Sequence, residues 1–295
     1  RTIQRVQKVA DPVTVAPPID RTVTSTVASA TDFLYTGANA IQKDVAAGTI
    51  KAIQVRALRG KILTPQGAPL SGVTVKIVNH PEFGFTLSRD DGMYDMAVNG
   101  GGTITLDYAR PGFLPAQRTV DAQWQTYGHV DDITLVAMDT LVQHVDFVVP
   151  QGMQARPVAD ELGARRPTVF FPQGTVASLV FPTFSYRTIP GCTGVTPKVL
   201  STPVDSLVAV SGLTMRVQEY SVGTDGEKAL PAPLPPTVAY SFAFELQADE
   251  VISRGAASAR LSQPATLLLE NLINFPEGMS IPLGFYDRTN AAWLP

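Results

Sequence analysis

Residues 79–102 read Asn79-His80-Pro81-Glu82-Phe83-Gly84-Phe85-Thr86-Leu87-Ser88-Arg89-Asp90-Asp91-Gly92-Met93-Tyr94-Asp95-Met96-Ala97-Val98-Asn99-Gly100-Gly101-Gly102. The stretch spells strand, tight turn, strand, glycine turn, strand. Arg89-Asp90-Asp91-Gly92 has the residue types of a hairpin turn, with Asp and Gly supplying the bend. Tyr94, Met96 and Val98 then alternate with polar or small neighbours, the period of a half-buried strand. Asn99-Gly100-Gly101-Gly102 makes the next turn.

The same period runs outward on both sides. Leu58, Gly60 and Ile62 face one way, with Arg59 and Lys61 opposite. Pro65-Gln66-Gly67 is a turn, Pro fixing φ and Gly permitting φ > 0. Val73, Val75 and Ile77 form the next inward row. Ile104, Leu106 and Tyr108 follow, then Ile133 and Leu135. Short strands at roughly 8–12-residue spacing predict an antiparallel sandwich.

A second alternating block begins after a weaker stretch, Val142 to Arg166, in which Gln151 to Arg166 reads as a linker. Thr168-Val169-Phe170-Phe171, Val176 to Phe181, and Leu213, Met215 and Val217 are its first strands. Tyr240, Phe242, Phe244 and Leu246 make its most aromatic strand, with Phe242 and Phe244 expected in the core. Ala248 to Arg254, closed by Gly255, is the best helix candidate. Ala265 to Leu269 and Ile281 to Phe285 are expected as the last strands. Before residue 56 there is little periodicity. Phe33, Leu34 and Tyr35 are poor choices for a solvated tail, so this region is expected to be an extended arm lying on another surface.

The fold class is therefore all-β: an N-terminal arm (1–55) and two consecutive β-sandwich domains (56–145 and 146–295). Composition agrees. Of 295 residues, 17% are charged, and 23 Gly and 24 Pro supply many turns. A net charge of −3 gives no electrostatic footprint for nucleic acid or anionic membrane. No apolar run approaches the roughly 18 residues needed for a membrane-spanning helix. Cys192 is the single cysteine, so an internal disulfide is excluded. The chain opens on Arg1 and stops at Ala291-Ala292-Trp293-Leu294-Pro295, which leads to the expectation that it is a piece of something longer.

No residue set carries chemistry convincingly. His129 precedes Asp131 and Asp132, and His144 precedes Asp146, yet neither spacing forms a tetrahedral metal set. His80 fits a strand end. Asp90, Asp91 and Asp95 lack the alternate oxygen ligands and closing glutamate of a calcium loop. Asn99-Gly100-Gly101-Gly102 is followed by a strand, so it is no phosphate loop. No Gly-x-Ser-x-Gly elbow occurs. Leu230-Pro231-Ala232-Pro233-Leu234-Pro235-Pro236 reads as a rigid loop into a strand rather than a polyproline ligand. Phe275, Phe285, Tyr286 and Trp293 suit either a core or a docking face. No catalytic, cofactor-binding or metal residue is assigned, and no enzyme is expected.

These residues also resemble a known family. The likeness starts at Phe33-Leu34-Tyr35-Thr36-Gly37 and Gly48-Thr49-Ile50. It strengthens at Leu58-Arg59-Gly60-Lys61-Ile62-Leu63 and Gly67-Ala68-Pro69-Leu70-Ser71-Gly72-Val73, peaks at residues 79–102 and runs to Met138-Asp139-Thr140-Leu141. This block resembles the transthyretin-like, or carboxypeptidase-regulatory-like, sandwich of teneurins and bacterial RHS proteins. Glu219-Tyr220-Ser221-Val222-Gly223, the proline cluster, Tyr240 to Leu246, Leu272-Ile273-Asn274-Phe275-Pro276 and Pro282 to Arg288 resemble the fibronectin-like plug that follows it. Thr183 to Pro203, with Cys192, departs from the pattern as an insertion. The resemblance implies a non-catalytic plug and scaffold segment of an RHS-repeat exported toxin. Such a segment seals one end of a YD-repeat shell that encloses a C-terminal toxin. The implied partners are that YD-repeat shell, as part of the same polypeptide or its cleaved remainder, and secretion-apparatus proteins, with no nucleic acid and no membrane span. The implied setting is that of a secreted or exported bacterial toxin component. The alternative is a cell-surface adhesion or carbohydrate-binding β-sandwich module.

Overall fold

The computed structural model describes residues 9–18, 20–160, 163–183, 186–188, 198–200, 204–220, 226–236, 242–272 and 274–295. Strands dominate and the few helices are single turns, so the fold is all-β. By packing, the chain forms two units. The first joins 1–138 with 223–240 and 280–295, and the second joins 139–222 with 241–279. The sequence divides the chain more simply, at residue 146, because alternation reports strands and not which sheet they join.

The first unit is built on a sandwich of eight strands: β1 (Val55–Leu63), β2 (Thr74–Ile77), β3 (Phe85–Leu87), β4 (Met93–Asn99), β5 (Gly102–Ala109), β6 (Ala116–Ala122), β7 (Thr126–His129) and β8 (Ile133–Thr134). One sheet runs β4-β1-β7, with β8 also along β1, and the other runs β3-β2-β5-β6. β4 is antiparallel to β1, whereas β7 and β8 are parallel to it. The inward rows expected from sequence meet between the sheets: Leu58 and Ile62, Val73 and Val75, Tyr94 and Met96, Leu106 and Tyr108, and Ile133. Gly60 belongs to the inward row because a β-carbon there would lie 2.6 Å from the Tyr94 hydroxyl oxygen.

Arg89-Asp90-Asp91-Gly92 is a tight turn, but it joins no hairpin. β3 pairs with β2 and β4 with β1, so the turn carries the chain from one sheet to the other. Gly92 takes φ +78, and a β-carbon there would sit 2.5 Å from the Ile62 carbonyl. The residue types are those of any tight reversal, and only the partner strands distinguish a hairpin from a corner.

The arm lies on this sandwich. Thr26 and Ser29 form a capping box for the short helix Val27–Thr31. Ala28, Leu34 and Ile41 bury against Val55 and Ala97 in a satellite core. The arm also closes two sheet edges. Lys43 exchanges backbone bonds with Phe85 on β3, at 2.7 and 3.0 Å. The Gln42 carboxamide accepts from the Ala97 N–H at 2.7 Å and donates to the Ala97 and Phe83 carbonyls at 2.9 and 2.7 Å. Closed edges resist pairing with foreign strands. Gln42→Ala would leave these buried groups without their side-chain partner. A loss of at least about 2 kcal/mol is expected by urea titration. A loss below about 0.5 kcal/mol would mean that water replaces the carboxamide.

The second unit continues with β9 (Gln143–Val145), β10 (Gln151–Gln154), β11 (Val158–Asp160), β12 (Gly163–Arg165), β13 (Thr168–Phe171), β14 (Ala177–Thr183), β15 (Tyr186–Thr188), β16 (Lys198–Leu200), β17 (Val204–Val210), β18 (Leu213–Glu219), β19 (Phe244–Ala248), β20 (Ser258–Leu261) and β21 (Thr266–Leu268). Its sheets run β10-β13-β21, β17-β14-β20 and β19-β18-β9, with β11-β12 and β15-β16 as two-stranded pairs. Phe147, Val169, Phe171, Leu179, Leu213, Met215 and Val217 form its core. The helix Asp249–Ser253 ends at Gly255, which has φ +65.

Three expectations are corrected here. Gln151 to Arg166 is not a linker, since β10 pairs with β13 and buries Met153 in the core. Met153, Val158 and Leu162 are spaced too far apart in that stretch to give a readable period of two. Phe242 and Phe244 are only half-buried. Phe244 packs against the core edge, and Phe242 stacks beside it at 6.0 Å, with the Arg165 guanidinium 6.0 Å from its ring. Leu246 is exposed. Ile281 to Gly284 form no strand. The chain pairs only later, in a hairpin of β22 (Phe285–Asp287) and β23 (Ala292–Leu294) that belongs to the first unit. Cys192, Tyr240 and Ile273 lie outside the described residues.

Candidate functional site: the strapped edge of the first sandwich

β6 is an edge strand whose outward backbone needs partners. Two segments from far along the chain supply them. The Gln117 N–H donates to the Pro231 carbonyl at 2.6 Å. Arg118 reaches the same segment, donating to the Lys228 carbonyl at 2.5 Å and the Leu230 carbonyl at 3.3 Å. Ala229, Leu230, Pro231 and Ala232 are buried. The first part of the proline cluster, Leu230 to Ala232, is thus an edge cover, while Pro233, Pro235 and Pro236 are exposed. Prolines accept from the edge but cannot donate onward, so they end the ladder.

The β22-β23 hairpin forms a second layer through the Gln117 side chain. Its Nε2 donates to Asp107 at 3.0 Å and to the Arg288 carbonyl at 3.1 Å. Its Oε1 accepts from the Tyr286 hydroxyl at 2.7 Å. Arg288 donates to the Pro115 carbonyl at 2.8 Å, and the Trp293 indole to the Pro233 carbonyl at 3.0 Å. The Tyr286 and Trp293 rings pack at 5.2 Å.

Beneath the edge, the Tyr94 and Tyr108 hydroxyls meet at 2.6 Å with their rings edge-on. Burial pushes both phenols well above the ordinary tyrosine range. Burial also raises Tyr286 and pulls Arg118 down from the usual guanidinium value, the tyrosines partly opposing the latter. The tyrosine shifts move away from neutrality, so each phenol keeps its proton at physiological pH. A general acid or base needs the opposite. This arrangement holds backbone in place.

The remaining sequence candidates are structural. Asp91 accepts from the Met93 N–H at 2.8 Å within the turn. Asp95 is buried between Arg89, at 2.5 Å, and Arg59, at 2.6 Å. His80 pairs with Glu82 at 2.9 Å on the surface. His129 ends β7, and His144 faces solvent on β9. Among the described residues, no group of three His, Cys, Asp or Glu side chains is placed to hold a metal. Nor is any helix among them long and apolar enough to cross a membrane, which says nothing of strands.

Sequence reading missed Gln42, Gln117 and Arg118. Each has a polar neighbour in the chain, Lys43 after Gln42 and Thr119 after Gln117-Arg118, so each reads as an ordinary surface position. Their partners stand up to 171 residues away, so no local signal marks them.

Residues 50–135 match the family model described as Teneurin TTR-like domain. Teneurin-3 of Danio rerio is 42% identical over 88 residues, which is 30% of this chain and 3% of that protein. Teneurin-4 of Homo sapiens is 37% identical over 78 residues, 26% of this chain and 3% of that protein. The first sandwich is therefore teneurin-like and transthyretin-like. The match spans only about 3% of the length of these relatives. Among solved structures, 3-chlorocatechol 1,2-dioxygenase from Rhodococcus opacus 1CP aligns at a TM-score of 0.24 and 10% identity, over 29% of this chain and 61% of that one. That likeness is too slight to bear on function.

Proposed function

We propose that this chain is a non-catalytic plug and scaffold segment of an RHS-type exported toxin, seating against one end of a YD-repeat shell. The likeness of its first sandwich to the teneurin domain supports a secreted β-scaffold. The observation that carries the plug reading is a row of apolar side chains that runs into the first residue of the terminal hairpin. Ile281, Leu283 and Phe285 are 51%, 69% and 59% exposed. They alternate with Pro282 and Gly284, and Ile281 to Gly284 pair with no strand. An apolar row at period two is suited to lie along a sheet of another body. Secretion-apparatus proteins are the further partners this reading implies.

The test is co-elution of residues 1–295 with a separately expressed YD-repeat shell. The double variant Ile281→Asp, Leu283→Asp should abolish co-elution while leaving the chain's own melting within about 1 °C, since exposed positions contribute little to stability. Undiminished co-elution of the variant, or a wild-type chain that ignores the shell, would sink the plug.

A second reading, a surface adhesion or carbohydrate-binding module, is favoured by Trp124 and Tyr127. Trp124 precedes β7 by two residues and Tyr127 lies on it; they are 50% and 63% exposed. Glycan-array binding that Trp124→Ala and Tyr127→Ala abolish would favour it.

A further inference from the structure

We propose that the β22-β23 hairpin is a releasable latch that opens while the rest of the first sandwich stays folded, and that Gln117 is the residue holding it shut. The two layers over the β6 edge differ in kind. The inner strap buries four successive residues, Ala229 to Ala232, and takes donors from both Gln117 and Arg118. It cannot leave without unpairing a buried guanidinium.

The hairpin contributes no fully buried residue. Among the described residues, its strands pair only with each other. A lone two-stranded hairpin is marginal in water, so its order depends on its ties to the sandwich. Among the described residues, hydrogen bonds to Gln117, Pro115, Pro233 and Asn79 tie it there, Asn79 donating to the Thr289 carbonyl at 3.3 Å. Two of them converge on the one Gln117 carboxamide. That carboxamide also bonds Asp107 on β5, so it stays oriented whether or not the hairpin is seated. When the hairpin lifts, Tyr286, Arg288 and Trp293 meet water, and few buried polar groups are stranded. Openings of this kind lie at the low-energy end of native-state fluctuation.

The inference does not depend on the plug reading, because it concerns contacts within this chain alone. The test is native-state hydrogen exchange on residues 1–295, followed by mass spectrometry. In the wild type, amides of 285–294 should exchange at least about tenfold faster than those of β1 and β4, while Ala229 and Leu230 keep core-like protection. Gln117→Ala should speed exchange in 285–294 by a further tenfold or more and leave β1 and β4 unchanged. Tyr286→Phe removes one hydrogen bond from the hairpin side and should move the same amides in the same direction by a smaller factor. Because Gln117→Ala alters the sandwich itself, Tyr286→Phe decides the matter if that variant does not fold. The idea is overturned if the hairpin exchanges in step with β1 and β4 in the wild type. It is equally overturned if a folded Gln117→Ala, or Tyr286→Phe, leaves 285–294 untouched.

Discussion

Asp95→Ala should lower the stability of the first sandwich by about 3–5 kcal/mol. The Asp95 carboxylate is 7% exposed and meets Arg89, itself 8% exposed, at 2.5 Å. Removing the carboxylate leaves the Arg89 guanidinium inside the protein with Asp91, 3.6 Å away and 53% exposed, as its remaining counter-charge among the described residues. Desolvating an ion is affordable only with a partner, so the loss reflects the stranded cation and not the strength of one contact. The control is Arg59→Ala. Arg59 touches the same carboxylate at 2.6 Å but is 51% exposed, so water replaces it and the loss should stay within about 1 kcal/mol. Urea unfolding followed by the fluorescence of Trp124, with Trp293→Phe as the background, reads both. Equal losses for the two variants would show that Arg89 finds water or another anion.

In the second unit, the large effect should fall on Phe171 and not on Phe242. Phe171 is 1% exposed and packs edge-on against Phe147 at 5.8 Å in the core. Phe171→Ala should cost about 3–5 kcal/mol, combining lost transfer energy with the cavity left behind. Phe242 is half-buried and borders Phe244 and Arg165, so Phe242→Ala should cost less than about 2 kcal/mol. Calorimetry of both variants checks the ranking. A reversed order would mean that the strand beginning at Phe244 packs more deeply than the structure places it.

The two cases show different limits of sequence reading. Phe171 and Phe242 both stand in alternating apolar runs, and period two marks a face without saying how far that face lies from the sheet's end. Asp95 stands on β4 between Tyr94 and Met96, the inward pair, so alternation assigns it to solvent. It is buried because β4 pairs with β1 in a register that puts Arg59 opposite it. The linker expected at 151–166 failed for a similar reason. Gln151, Met153 and Ala155 do alternate, but only β13 across the sheet makes that stretch a strand.

What the sequence determined by itself is the local physics of the first sandwich. Val73, Val75 and Ile77, or Tyr94, Met96 and Val98, can bury one face only as strands, and Gly92 can reverse the chain where a β-carbon would strike backbone. Those requirements lie within a few residues, so they are written in order along the chain. The tertiary structure alone decided that Arg89 to Gly92 crosses between sheets and that Gln42 closes one edge. It also decided that the β6 edge is covered twice by segments more than a hundred residues downstream. Edge closure joins backbone groups to whatever donor or acceptor the fold brings near. Backbone groups are the same at every residue, and so the sequence carries no mark of which ones will meet.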